Sequence, residues 1–553
     1  MSSINKYLYK SLFLLIPALL VLSSCEEEEV YEQTRLFRPV LNEQLRAELN
    51  TIIVNMGKMK EVSSYTLEVS RDTFQTIDYL IETTENYVEI NATLLNGEEL
   101  LWNTLYQVRA TAHANDPIYD SKPSDLGNVR TERFPSILNV PTSADVIDRA
   151  ARVTWQPVGA QITAIKVFAI TDARLSNPLR AREVSAEEHA AGLAIVSGLE
   201  PLTSYQLAIY SGATLRGWET YTTKEGSIDL NDPLVINLTE SEDPDAVINA
   251  VATASEGQII VVKKGVVYNL PSVPLDKSIT IRGSQGFGSE KAVLYTTGNW
   301  NIAGGATVDH VRFIDLELRG ADIGGDYVFN PSNSDPTYIN ELTFDDCILN
   351  NFRGIIRIRS KVFLNNYTIN NSIVYRLGGY GIITTDTDGD GNAAVNNIYL
   401  TNSTFSKINS FMTSRQNAQS IVIDGCTMSE LASPDGIVFR WRGTDGERSN
   451  VLNGISITNT IWGPAWDDAQ SGKLSVRGIY DGLEATSFNI VNTYATSDFS
   501  FTPGSEIPGF PALNYSGTPT DLWVDPANLD FNFKDSGFAG KFDTGDPRWR
   551  AKL

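Results

Sequence analysis

Apolar and polar positions alternate in short runs along most of the chain. In the first third, Tyr65–Ser70, Tyr87–Ile90, Leu105–Ala110, Val153–Trp155 and Ala164–Ile170 are such runs, separated by turn residues. That spacing predicts antiparallel β-sandwiches. Further on, one phrase recurs: two alternating apolar residues, an Asn or Asp, a small residue, another apolar one. It reads Phe313-Ile314-Asp315-Leu316, Thr343-Phe344-Asp345-Asp346-Cys347-Ile348, Thr368-Ile369-Asn370-Asn371-Ser372-Ile373 and Tyr399-Leu400-Thr401-Asn402-Ser403-Thr404. It returns, with Gly in the Asn slot once, as Val422-Ile423-Asp424-Gly425-Cys426-Thr427, Ser456-Ile457-Thr458-Asn459-Thr460-Ile461 and Asn489-Ile490-Val491-Asn492-Thr493-Tyr494. A period of about 23 to 34 residues predicts a solenoid, each coil giving a short strand to each of several parallel sheets. Ahead of it, Asp243-Pro244 introduces a predicted helix over 245–254, with Pro at the first helical position, placed to close the open end of the solenoid.

Between copies of the phrase lies a second kind of strand: Ile356-Arg357-Ile358-Arg359, Tyr380-Gly381-Ile382-Ile383-Thr384, Val438-Phe439-Arg440-Trp441-Arg442 and Lys473-Leu474-Ser475-Val476-Arg477. Side chains of a strand alternate between faces, so Ile356 and Ile358 are expected inside, with Arg357, Arg359, Arg440 and Arg442 in solvent. Stacked coils would align these with Lys473 and Arg477 on one sheet. A row of cations at sheet spacing suits a polyuronate, which carries one carboxylate per sugar. The alternative is neutralisation by acidic neighbours such as Asp435, Asp445 and Glu447 as ordinary surface pairs.

Charge gives that row its interest. The chain has 553 residues, 67 acidic and 44 basic, for a net charge of -23. Such a surface repels nucleic acid and anionic membranes, which excludes nucleic-acid binding. At about 150 residues per domain, the length predicts three or four domains.

At the N-terminus, Lys6 and Lys10 precede the apolar run 11–22, too short to span a bilayer and the right length for a secretion signal. Leu22-Ser23-Ser24-Cys25 resembles a bacterial lipobox, which implies lipidation of Cys25. Glu26 to Glu29 resemble an export signal to the outer face of the outer membrane. In the second sandwich, Trp155 and Leu199-Glu200-Pro201-Leu202-Thr203-Ser204-Tyr205 resemble fibronectin type III domains, with their buried Trp and tyrosine corner. Residues 35–133 match that pattern less well, with Val54 or Asn55 in the Trp slot. Leu275-Asp276-Lys277-Ser278-Ile279-Thr280-Ile281-Arg282-Gly283 resembles the start of a pectate-lyase-like right-handed parallel β-helix.

These features, with the terminal Gly545-Asp546-Pro547-Arg548-Trp549, resemble uncharacterised β-helical surface lipoproteins of polysaccharide-utilisation loci. The resemblance implies an all-β chain: signal peptide 1–24, acidic tether 25–34, fibronectin type III-like domains 35–133 and 134–226, and a right-handed parallel β-helix over 227–553. It also implies a lipid anchor in the outer membrane and a glycan context, without established catalytic residues.

Other residues bear on chemistry. Thr385-Asp386-Thr387-Asp388-Gly389-Asp390-Gly391-Asn392 has the Asp-x-Asp-x-Asp-Gly spacing of a calcium loop, but Asn397 stands where the bidentate Glu belongs. Asp386, Asp388 and Asp390 are therefore the candidate Ca2+ ligands; otherwise no cofactor is expected. Trp466 or Trp462 can stack on a sugar ring, as can Tyr375, Tyr380, Trp102 and Trp218, or all can pack internally. Cys347 and Cys426 share a slot three coils apart, about 14 Å at sheet spacing, too far for a disulfide. Only three histidines occur, His113, His189 and His310, none near the arginines in sequence, and no acidic cluster is evident beside them. The expected function is surface binding of an acidic polysaccharide for a glycan transporter, through Arg357, Arg359, Arg440, Arg442, Lys473, Arg477 and Trp466. Alternatives are a polysaccharide lyase acting by β-elimination and a structural or adhesive protein.

Overall fold

The computed structural model describes residues 34–444 and 446–551. Cys25 and Asp445 lie outside the described residues. The chain divides into two units: Met1–Val140 with Val153–Ala194 and Ser204–Tyr221, and Pro141–Arg152 with Ile195–Thr203 and Thr222–Leu553.

The first unit is built from fibronectin type III-like sheets. Strands Tyr79–Thr83, Ser64–Ser70, Leu105–His113 and Ser124–Arg130 form one sheet. Alternate residues Leu67, Val69, Val108 and Ala110 turn to a core shared with Ile52, Val54, Val88 and Ile90 of a three-stranded sheet. A tyrosine corner appears here that the sequence pattern did not single out: the Tyr106 hydroxyl accepts from the Leu101 N–H at 3.0 Å. A second four-stranded sheet joins Arg180–Glu183, Ala164–Ala169, Ser204–Ser211 and Thr214–Thr222. Trp155 is buried, as its place in the motif requires.

The second unit carries a parallel β-helix of about ten coils. A typical coil runs through Ala394–Thr401 in the first sheet, Thr404–Ile408 in the second and Met412–Ser414 in the third, then rises to Ser420–Asp424. The recurring phrase is the corner between the first and second sheets. Its Asn or Asp is left-handed in every copy of the phrase that carries one, with φ of 54° at Asp315, 50° at Asp346, 47° at Asn371, 50° at Asn402, 52° at Asn459 and 51° at Asn492; Gly425 takes 62°. Asn, Asp and Gly are the residues that tolerate this conformation, which explains the restriction on that slot. The N–H groups of Asp346, Asn371 and Asn402 donate to the carbonyls of Asn370, Thr401 and Asp424 in the next coil.

The small residue that follows is buried because it sits beneath the next copy of itself. Ser372 Oγ accepts from Cys347 N–H at 2.9 Å, and Ser403 Oγ from Ser372 N–H at 3.0 Å. Cys347 and Cys426 are both free and buried in this ladder.

Ala246–Thr253 is the helix ahead of the coils, and Val247, Ala250 and Val251 enter the same apolar core. Its start differs from expectation: Asp245 is the N-cap, so Pro244 precedes the cap rather than opening the first turn. The C-terminal tail folds back onto the second sheet, where Thr404 donates to Asp546 at 2.7 Å and Trp549 Nε1 donates to Thr404 at 2.7 Å. No helix among the described residues is long and apolar enough to cross a membrane.

Candidate functional site: an arginine face on the third sheet

The third sheet stacks Tyr327–Phe329, residues 354–358, residues 381–385, Met412–Ser414, Ile437–Trp441 and part of Ser475–Asp481. Phe329, Ile356, Ile383, Met412 and Phe439 lie in register and are buried. Alternation therefore turns the intervening positions outward. One outward row is Arg357, Thr384, Thr413, Arg440 and Asp481. Two residues further along each strand, the same register brings Arg359, Asp386, Arg415 and Arg442 into a second row.

This second row contains residues that sequence reasoning overlooked. Asp386 stands among arginines: Arg357 Nε donates to it at 3.0 Å, Arg415 Nε at 3.2 Å and Arg442 at 3.4 Å. Asp388 is 3.8 Å from Arg415 and 3.6 Å from Arg448. An acidic group thus does point into the arginine sheet, contrary to the expectation from sequence. Arg415 escaped notice because its strand, Met412–Ser414, is short and polar. The signal was its position, two residues after Thr413, the offset that separates Arg357 from Arg359 and Arg440 from Arg442.

The three aspartates do not gather as a cation site. Among the described residues no group of three or more His, Cys, Asp or Glu is placed to hold a metal ion. Arginines take the carboxylates of Asp386 and Asp388, while Gln416 Nε2 donates to the carbonyls of Thr387 at 3.0 Å and Gly389 at 2.7 Å. Asp390 is exposed.

The arginines do not stand freely in solvent either. Arg440 and Arg442 are 26% and 28% exposed. Burial and the neighbouring Arg357 hold the Arg359 guanidinium below its usual pKa; burial with Arg440 and Arg415 does the same to Arg442. Burial is the larger cause of both depressions, and the neighbouring guanidinium groups add to it. Among the described residues Arg359 has no carboxylate within ion-pair distance, its side chain donating to the Asn330 carbonyl at 3.2 Å, and the Nε atoms of Arg359 and Arg442 are buried without an acceptor there.

Aromatic rings accompany these cations. Arg353 and Arg357 lie 4.6 Å and 4.5 Å from the Tyr380 ring centre, and Arg440 and Arg477 lie 4.9 Å and 4.6 Å from that of Tyr480. The other candidates are placed differently. Arg477 pairs in register with Ile437, outside the two rows. Lys473 is 68% exposed, 3.8 Å from Asp435. Trp466 is half-buried in a loop, its backbone N–H donating to the Ala432 carbonyl, and Trp462 is core. Tyr375 belongs to the second sheet. In the first unit Phe134 lies between Trp102 and Trp218, with ring centres 5.3 Å and 5.0 Å away.

Residues 266–408 match the family described as domain of unknown function DUF4957, a stretch that includes Arg357, Arg359 and Asp386 but stops before Arg415, Arg440 and Arg442. No curated protein matches the chain. Among solved structures, the N-terminal part is similar to a two-domain fibronectin type III segment of chicken tenascin, at 15% identity over 34% of this chain and 98% of that one, TM-score 0.16. It is also similar to the FN1–FN3 domains of chicken CNTN1, at 12% identity over 35% of this chain and 68% of that one, TM-score 0.15.

Proposed function

We propose that the protein is an outer-membrane lipoprotein, anchored through Cys25 and displayed at the cell surface, that binds an acidic polysaccharide of the polyuronate class on its arginine face for delivery to a glycan transporter. One observation carries the reading, the shortfall of carboxylates. Among the described residues, Arg353, Arg357, Arg359, Arg415, Arg440 and Arg442 crowd one face on which Asp386, Asp388 and Asp481 are the acidic partners. Guanidinium groups that are half-buried, mutually repelling and short of acceptors gain on meeting a carboxylate, because the desolvation cost is already met in the fold. Tyr380 and Tyr480 add ring faces beside the cations, suited to the apolar side of a sugar.

Affinity electrophoresis through gels containing homogalacturonan or alginate tests the proposal. We expect the wild-type chain to be retarded, and retardation to weaken as salt rises. Arg359→Gln with Arg442→Gln should reduce affinity at least about tenfold, the equivalent of one lost charge-assisted hydrogen bond. Mobility unchanged by every polyuronate would overturn the reading. Release of ultraviolet-absorbing unsaturated uronate from the polymer would replace binding by β-elimination.

A further inference from the structure

The first sheet carries a second outward surface, separate from the arginine face. Its strands place Thr307, Tyr338, Phe363 and Ala394 in one register column. The residues that follow them, Val308, Ile339, Leu364 and Val395, are buried, so the column faces out. The order is small, aromatic, aromatic, small. Tyr338 and Phe363 stack on one another at 5.3 Å with an angle of 18° between ring planes. Each ring thereby covers one face of its partner. The other face of Phe363 looks over Ala394 and that of Tyr338 over Thr307, neither side chain large enough to cover a ring. Tyr338 is 51% exposed.

A column of polar groups runs beside the rings. Asn340 Nδ2 donates to Asp309, Asn365 Nδ2 to Asn340 Oδ1, and Asn396 Nδ2 to Asn365 Oδ1, each at 3.1 Å. An amide has two N–H groups and this ladder uses one of each, so every rung keeps a donor for an incoming hydroxyl. The two columns line a groove of about 460 Å³ bordered by Glu256 and Asp309, with no Lys or Arg in its wall.

We propose that this groove binds a neutral sugar residue of a glycan, its C–H face against the open face of Phe363 or Tyr338 and its hydroxyls on the Asn340, Asn365 and Asn396 amides. A flat ring face flanked by fixed donors is what a pyranose requires: apolar contact on one side at about 3.5–4 Å, hydrogen bonds at the edge. Missing side-chain bulk at Ala394 and Thr307 opens a gap one coil deep, about 4.8 Å, over each ring. The acidic border and absent cations repel a uronate, so this site and the arginine face select different parts of a polymer. The inference stands independently of the polyuronate reading.

Titration calorimetry on the full chain with β-1,4-linked galactotetraose, xylotetraose and mannotetraose, each at up to about 10 mM, tests it. At least one should bind. Phe363→Ala should weaken that binding tenfold or more. Ala394→Phe should abolish binding at the Phe363 face by extending the aromatic stack into the gap, and it adds bulk only at an outward position, so it remains informative where Phe363→Ala fails to fold. Thr307→Phe makes the same test at Tyr338. Arg359→Gln with Arg442→Gln should leave neutral-sugar binding unchanged, which separates this proposal from the polyuronate one. Absence of binding by all three tetrasaccharides, or binding unaffected by Ala394→Phe and Thr307→Phe combined, overturns it.

Discussion

Asp386→Asn probes the electrostatics of the arginine face most directly. Asp386 is 12% exposed and serves Arg357, Arg415 and Arg442 at once. Burial pushes its pKa up, but Arg357 and Arg415 outweigh burial and hold the carboxyl below the usual range. A folded pKa below the unfolded value of about 3.9 means that the cluster contributes stability above that pH and loses it as pH falls through the folded value. Breaking a fully buried pair costs about 3–5 kcal/mol, and an exposed pair is worth about 0–1 kcal/mol. The arginines are 20%, 29% and 28% exposed, so the cluster lies between these limits. We expect Asp386→Asn to lose about 2 kcal/mol near neutral pH, because the near-isosteric amide keeps the shape and removes only the charge. Urea unfolding followed by tryptophan fluorescence should show the gap between wild type and variant constant from about pH 7 to pH 5, closing below about pH 4. About 0.5 M NaCl should narrow it. A variant within about 0.5 kcal/mol of wild type at neutral pH, or a gap undiminished at about pH 3, would refute the account.

Two further outcomes follow from the coils. Gly381 has φ +58°, and a Cβ there would lie 2.1 Å from the Ser410 carbonyl oxygen and 2.3 Å from that of Phe411. Gly381→Ala should cost at least about 3 kcal/mol, since both obstacles are backbone; a wild-type urea midpoint would contradict this. Burial pushes the Cys347 thiol up to about 12, and that of Cys426 higher still. On a chain carrying Cys25→Ser, a thiol reagent such as DTNB should label neither cysteine in the folded state and both in guanidinium, whereas native labelling would mean that the coils open readily.

The repeated phrase was legible because it encodes a local requirement. A left-handed corner restricts its residue to Asn, Asp or Gly, and the self-stacking slot that follows holds Ser, Thr or Cys in every copy after the first, which has Leu316. Alternation in the arginine strands was legible for a similar reason: Ile356 and Ile358 turn inward because a strand has period two. The register of those strands was not, since the number of residues between corners varies from coil to coil. That variation hid the alignment of Asp386 with Arg359 and Arg415, and it made a calcium loop the natural reading of Asp386-x-Asp388-x-Asp390. Lys473 was aligned with the arginines by the alternation of residues 473–477, but the strand begins only at Ser475, and Trp466, chosen as a ring able to stack on a sugar, lies in a loop.

By itself, then, the chain determined its all-β class, the fibronectin type III-like sheets, the coil corner and the outward arginines, because each follows from backbone conformation or side-chain alternation over a few residues. Only the tertiary structure decided which outward residues meet. In a parallel β-helix, neighbours across the surface lie one coil apart, some 23 to 34 residues away in sequence here, and their pairing depends on the length of every intervening turn. The aspartate among the arginines, and the two aromatic rings left open above Ala394 and below Thr307, are both products of that register.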